Sequence, residues 1–347
     1  MEFFSFEVKQ MDEKQDRAIG AIMGTLIGDA LGVGPHWYYD LDQLKKDYGD
    51  WIDDYTRPKP DRYHAGLEAG DNSQTGQVVI FLLESITEHG EYKESDFTDR
   101  LDSLLQTLDG TPQGGRYTDQ AMRDVWAARQ KKKLNWTEAG SLADTAEAAI
   151  RTPVLAARYY RDPESLLRYL ASNIILTHRD PFIAGQSSAF GLIVGGLIEG
   201  AGLRDISEDM MKRKDIPRVI EVPDSGGRSK ASFTDALLQP SWSAEAARDP
   251  AIAIDPPASA CRLFGLACTL GFLLPAAYYF AARFEKDFYT AVMSALNGGG
   301  NNMARASLTG ALMGAQAGIS RIPEYLIQGL RDHERLLDMA KKITEGR

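Results

Sequence analysis

At 347 residues and 44% hydrophobic content the chain can bury a full core, and length alone permits one large domain or two ordinary ones. A net charge of −10 weighs against a general binder of nucleic acid or of a membrane surface, because both are anionic and would be repelled on average. The two cysteines, Cys261 and Cys268, sit in an apolar run and are expected as buried free thiols, which suits a reducing compartment. No run of about 18 uncharged apolar residues stands out, and the start "MEFFSFEVKQMDEKQDR" lacks the basic head and apolar middle of a signal peptide. A soluble, cytoplasmic protein is expected.

Taken in chain order, the segments predict helices nearly everywhere. The first carries Gly20, Gly24, Gly28 and Gly32 at every fourth residue. "GQVVIFLLESITEHG", "TDRLDSLLQTL", "DTAEAAIRTPVLAARYY" and "PESLLRYLASNIILTH" follow with apolar residues three and four apart, the helical period. Asp162-Pro163 and Asp180-Pro181 can begin helices, with Asp as N-cap and Pro in the first turn. Gly191 and Gly195 then continue a row from Ser187. Residues 204–257, with "IPRVIEVPDSGGRSK" and "LLQPSW", are rich in proline, charge and turn residues and read as a surface insertion or lid. Near the end Ala306, Gly310, Gly314 and Gly318 form a third row, and "RDHERLLDMAKKI" closes the chain as a helix. The expectation is an all-α fold in one domain spanning residues 1–347.

The glycine rows need a reason, since glycine costs about 1 kcal/mol against alanine in a helix interior. Residues four apart share a face, so each row leaves a nearly bare stripe where another backbone can approach. Two readings stand: tight packing alone, or packing that gathers the polar helix ends into one cleft. Those ends are "GDALGVGPHWYYD" with Asp29, His36 and Asp40; "YHAGLEAGDNSQTGQ" with His64, Glu68, Asp71, Asn72, Ser73 and Gln74; "ILTHRD" with Thr177 and His178; and "NGGGNNMARASLTG", from Asn297 through Gly299, Gly300, Asn301 and Asn302 to Arg305. Each alone reads equally as a cap or a structural polar group.

Four stretches in this order, "GAIMGTLIGDALG", "AGDNSQTGQ", "RTPVLAARYYRDPESLLRYLASNIILTH" and "NGGGNNMARASLTGALMGAQAG", resemble the ADP-ribosylglycohydrolases, over about Arg17 to Ile343. "GPHWYYD" and "YHAG...GDNS" further resemble the subgroup of the J1 crystallins and selenoprotein J. The resemblance implies an all-α fold that removes ADP-ribose from proteins or small molecules with a pair of magnesium ions. Active members have Thr/Ser-Asp-Asp-Thr where this chain has Gly70, Asp71, Asn72 and Ser73. They have Asn-x-Gly-Gly-Asp-x-Asp-Thr/Ser where it has Asn297 to Ala304, both carboxylates being replaced. Where they carry a glutamate seven residues beyond the first-motif aspartate, it has His36.

Amides, a thioether and a methyl group cannot replace the anionic oxygens that magnesium prefers. No binuclear metal site and no cofactor are therefore expected. A residual hydrolytic mechanism would use Asp29, with Asp71 as base for water and His36 as acid. Asn72, Ser73, Gln74, His178, Asn297, Gly299, Gly300, Asn301, Asn302 and Arg305 would bind the ligand, with loop N–H groups and Arg305 facing an anion. His64 and Glu68 would line the rim, and His178 would cap its helix and order the cleft wall. The partner would be a small, ADP-ribose-like molecule, with neither nucleic acid nor membrane. Two classes stay open: an altered, metal-independent hydrolase or small-molecule binder, and a non-catalytic protein with a binding or crystallin-like structural role.

Overall fold

The helices Glu13–Val33 and Asn302–Ala317 lie against each other along their glycine rows in the computed structural model, which describes residues 12–113, 116–224 and 227–345. A Cβ at Gly24 would stand 2.1 Å from the Gly310 carbonyl oxygen, at Gly28 2.3 Å from that of Ala306, and at Gly20 2.5 Å from that of Gly314. The two backbones therefore touch, and Ser307 Oγ donates across the seam to the Thr25 carbonyl at 2.8 Å. Around this pair pack the helices Gln74–His89, Glu147–Tyr159, Pro181–Glu199, Leu270–Arg283, Phe288–Leu296 and His333–Thr344.

The row on Pro181–Glu199 works differently. Gly191 and Gly195 admit the methyl groups of Leu170 and Leu166 rather than another backbone. The predicted starts are where the sequence places them: Asp162 accepts from the Ser165 N–H and Asp180 from the Ile183 N–H, each at 3.1 Å, ahead of Pro163 and Pro181. Pro181–Glu199 reaches the length and mean hydropathy of a membrane span, more than the sequence suggested, and most of it is buried by neighbouring helices. Both cysteines are free; Cys261 is buried, while Cys268 is only half-buried.

Among the described residues the fold is all-α apart from one antiparallel strand pair, Val219–Asp224 with Gly227–Ser232, in which Val219 faces Ser232. These strands belong to residues 204–257, which also form the helices Ile206–Lys212 and Thr234–Arg248. Alternate strand positions, Ile220 and Val222, turn inward with Phe233, Leu237 and Ala244 and pack on Pro181–Glu199 and Leu270–Arg283. None of the described residues of this segment lines the cleft discussed next.

Candidate functional site

The loop Asn297 to Asn301 is held from within. Asn297 accepts the Ile52 N–H at 2.8 Å and donates to the Ile52 and Met293 carbonyls. Gly299 and Gly300 adopt φ of +70° and +62°, and a Cβ on Gly300 would meet the Leu266 carbonyl oxygen at 2.3 Å, so glycine is required. The Gly300 N–H donates to the Tyr38 carbonyl at 2.7 Å and the Asn301 N–H to that of Leu266 at 2.8 Å. Arg305 is fully buried under the loop, donating to the Ala295 carbonyl at 3.0 Å and to that of Gly299. The expectation that Arg305 and the loop N–H groups face an anion does not hold for the Gly300 and Asn301 N–H groups or for Arg305 Nε and Nη2, which donate to backbone carbonyls; Arg305 Nη1 is buried without a partner among the described residues. Asn302 likewise donates to the Pro35 and Leu296 carbonyls.

Asp29 is also enclosed. It accepts the Ser73 hydroxyl at 2.6 Å, the Ser73 N–H at 2.8 Å and the Asn72 amide at 3.0 Å. Burial pushes its pKa up, and these bonds offset part of that shift. Asp29 thus anchors the start of helix Gln74–His89, where Ser73 is the N-cap. Asp29→Ala is expected to destabilise the fold by about 3 kcal/mol or more in urea unfolding, since it strands several buried donors. Asp71 pairs with Arg331 and accepts the Glu68 N–H at 2.8 Å. It does not line the cleft, so its assignment as a base for water does not fit its place. Gln74 donates to Thr118 Oγ1 at 3.1 Å, in the wall behind.

The cleft encloses about 230 Å³ between His36, Trp37, His64, Tyr117, Asp119 and Glu147, with Asn301, Ser73 and Cys268 also on its surface. His36 Nδ1 lies 2.7 Å from His64 Nε2, and His36 Nε2 lies 3.2 Å from Asn301 Oδ1. His64 is therefore part of the wall rather than the rim; Glu68 instead pairs with Arg57 at the surface. Burial, then the neighbouring His64, holds His36 well below the usual histidine range, and burial brings His64 down to about 4. Both rings are neutral at pH 7, which removes His36 as a ready proton donor. Trp37, Tyr63 and Tyr117 cluster edge to face, with ring centroids 4.7 to 5.1 Å apart.

Two acids that sequence reasoning passed over face the same space. Burial, then the charge of Glu147, pushes Asp119 up to about 7, and burial raises Glu147 as well. Asp119 is the N-cap of Gln120–Trp126, accepting the Met122 N–H at 2.8 Å, and Glu147 opens Glu147–Tyr159. In sequence both look like ordinary helix-start acids. Behind Glu147, His178 Nε2 lies 3.4 Å from its carboxylate and 3.1 Å from Thr145 Oγ1, while Thr177 and the buried Arg151 complete the support. Of the expected site residues, His36, Ser73 and Asn301 share the cleft; Asp29, Asp71, Asn297 and Arg305 build the scaffold around it.

The magnesium pair implied by the resemblance does not fit the donors at the matched positions. Asp29 is hydrogen-bonded on both oxygens, Asp71 is ion-paired, and Asn301 Oδ1 serves His36 and the Ala304 N–H. Met303 and Ala304 bring no side-chain oxygen. Among the described residues, the set of three metal-capable side chains within 4.8 Å of one another is Glu88, His89 and Asp96, outside the cleft, and Arg100 pairs with both of its acids.

Known proteins share this architecture. A structure of an ADP-ribosylglycohydrolase-related protein complex superposes with a TM-score of 0.63 at 19% identity, covering 96% of this chain and 99% of that one, a likeness of fold. An uncharacterized protein of Archaeoglobus fulgidus is 26% identical over 335 residues, which is 95% of this chain and 97% of that protein. The ADP-ribosylglycohydrolase family itself matches residues 10–347, and with the helical fold and the loop order just described, the chain belongs to that family.

Proposed function

We propose that this family member is a metal-independent hydrolase of a ribosyl or related glycosidic bond, in the subgroup that the "GPHWYYD" and "YHAG...GDNS" stretches resemble, with the magnesium-ligand motifs replaced. The observation that carries the reading is the pair of recessed acids, Asp119 and Glu147, in one cleft with an aromatic wall. Because the Glu147 charge helps raise Asp119, the pair divides the work, Asp119 as the acid and Glu147 as the base. Asp119 then gives its proton to the leaving atom as the glycosidic bond breaks, and Glu147 takes a proton from the water that adds to the anomeric carbon. Trp37 and Tyr117 offer apolar faces to the ring.

In this reading the sugar, rather than a pyrophosphate, occupies the cleft beside Asp119, Glu147 and Arg123. The test is hydrolysis of ADP-ribosyl conjugates and simple ribosides with and without EDTA. Turnover and melting temperature are expected to be the same in magnesium and in EDTA. Activity that vanishes with the chelator and returns with magnesium would sink the metal-independent reading.

A second reading, a non-catalytic crystallin-like or binding role, draws on Asp29 and Asn302, whose hydrogen bonds hold the scaffold together. It predicts a stable protein with no turnover on any ribosyl substrate.

A further inference from the structure

The hydrogen-bond chain through the cleft wall fixes both histidine tautomers. The Ala304 N–H donates to Asn301 Oδ1 at 3.2 Å, which identifies that atom as the amide oxygen. His36 Nε2, 3.2 Å from the same oxygen, must then carry the hydrogen. Its Nδ1 is consequently a lone pair, so the hydrogen in the 2.7 Å contact belongs to His64 Nε2. That leaves His64 Nδ1 as a bare acceptor in a residue only 2% exposed, and no group among the described residues donates to it.

Trp37 supplies the complement. Its indole Nε1–H is likewise buried without an acceptor. The residue sits at φ +62°, a left-handed conformation that a large side chain rarely adopts, held there by its N–H donating to the Gly300 carbonyl at 3.0 Å. Strain and an uncompensated polar atom together mark a position kept for a contact. Trp37 and His64 both adjoin His36, with ring centroids 4.9 and 4.8 Å from it.

We propose that Trp37 and His64 are the specificity-determining pair of the cleft, Trp37 Nε1–H donating to, and His64 Nδ1 accepting from, hydroxyls of a neutral sugar ring. This rests on the reading of the cleft as a ribosyl site and deepens it. An ionised phosphate oxygen has no hydrogen for His64 Nδ1, and a metal cation cannot accept from the indole. A hydroxyl can do both.

The probes are D-ribose, ADP-ribose and, as an amide carrying the same donor and acceptor, nicotinamide, titrated against the full chain by calorimetry. Trp37→Phe and His64→Phe are each expected to weaken ribose and ADP-ribose binding on the order of 10-fold, because each leaves one ligand hydroxyl unpaired. Nitrogen-15 NMR of the wild-type imidazoles is expected to show both rings protonated on Nε2 at pH 7, with only His64 Nδ1 shifting strongly on adding ribose. Undiminished binding in both variants, a proton on His64 Nδ1 in the free protein, or binding of nicotinamide without ribose would each overturn the pair. The ribosyl reading fails separately, when neither ribose nor ADP-ribose binds the wild type. Asp119→Asn is expected to stop turnover while leaving ribose binding dependent on Trp37 and His64, which separates recognition from chemistry.

Discussion

Asp119→Asn is expected to lower turnover on a ribosyl substrate at least about 100-fold, the scale of losing a general acid, while the melting temperature stays within a few degrees. Asparagine keeps the shape and can still accept the Met122 N–H that caps the helix, so a loss of activity would not be a loss of fold. The pH profile makes the assignment specific. A carboxyl raised to about 7 is protonated below that value and ionised above it, so kcat/KM of the wild type should fall as pH rises through about 7. On the acid side, protonation of Glu147, itself raised by burial, should produce the second limb. Glu147→Gln removes the charge that helps lift Asp119, and the alkaline limb should move to lower pH in whatever activity remains. An alkaline limb that stays put in Glu147→Gln would show that the two acids do not act as a pair.

What could be read from the sequence follows from how local each signal is. The glycine rows, the Asp-Pro helix starts and the Ser73 cap depend on residues within one or two turns, and the structure has them in place. Arg305 was not legible, because its three-dimensional partners are backbone carbonyls of Ala295 and Gly299 that no side-chain pattern marks. Asp71 was misplaced for the opposite reason: its partner Arg331 lies near the other end of the chain. Asp119 and Glu147 were hidden by ordinariness, since an acid at a helix start is the common case. Only their shared place on the cleft separates them from the other helix-start acids. His64 gained its place the same way, through a ring-to-ring hydrogen bond with His36 across 28 residues of sequence.

Gly24→Ala is expected to destabilise the protein by about 3 kcal/mol or more, although alanine is the better helix former by about 1 kcal/mol. The new Cβ would stand 2.1 Å from the Gly310 carbonyl oxygen, and that partner is backbone with no rotamer to change. Separating the two helices is the only relief, and it opens the seam on both sides. Gly310→Ala should cost a similar amount, because its Cβ would meet the Gly24 carbonyl oxygen at 2.1 Å. Gly191→Ala provides the contrast: its Cβ meets the Leu170 methyls at 2.7 Å, and a leucine tip can shift. Its loss should be under about 2 kcal/mol, partly offset by helix propensity. The seam also carries the cleft. Asp29 lies within one glycine row and His36 just beyond it, and Asn301 caps the helix bearing the other. A Gly24→Ala protein that still folds should therefore bind ribose more weakly than Gly191→Ala does. Equal stability losses in urea for the two variants would mean that close backbone approach is not what the repeated glycine provides.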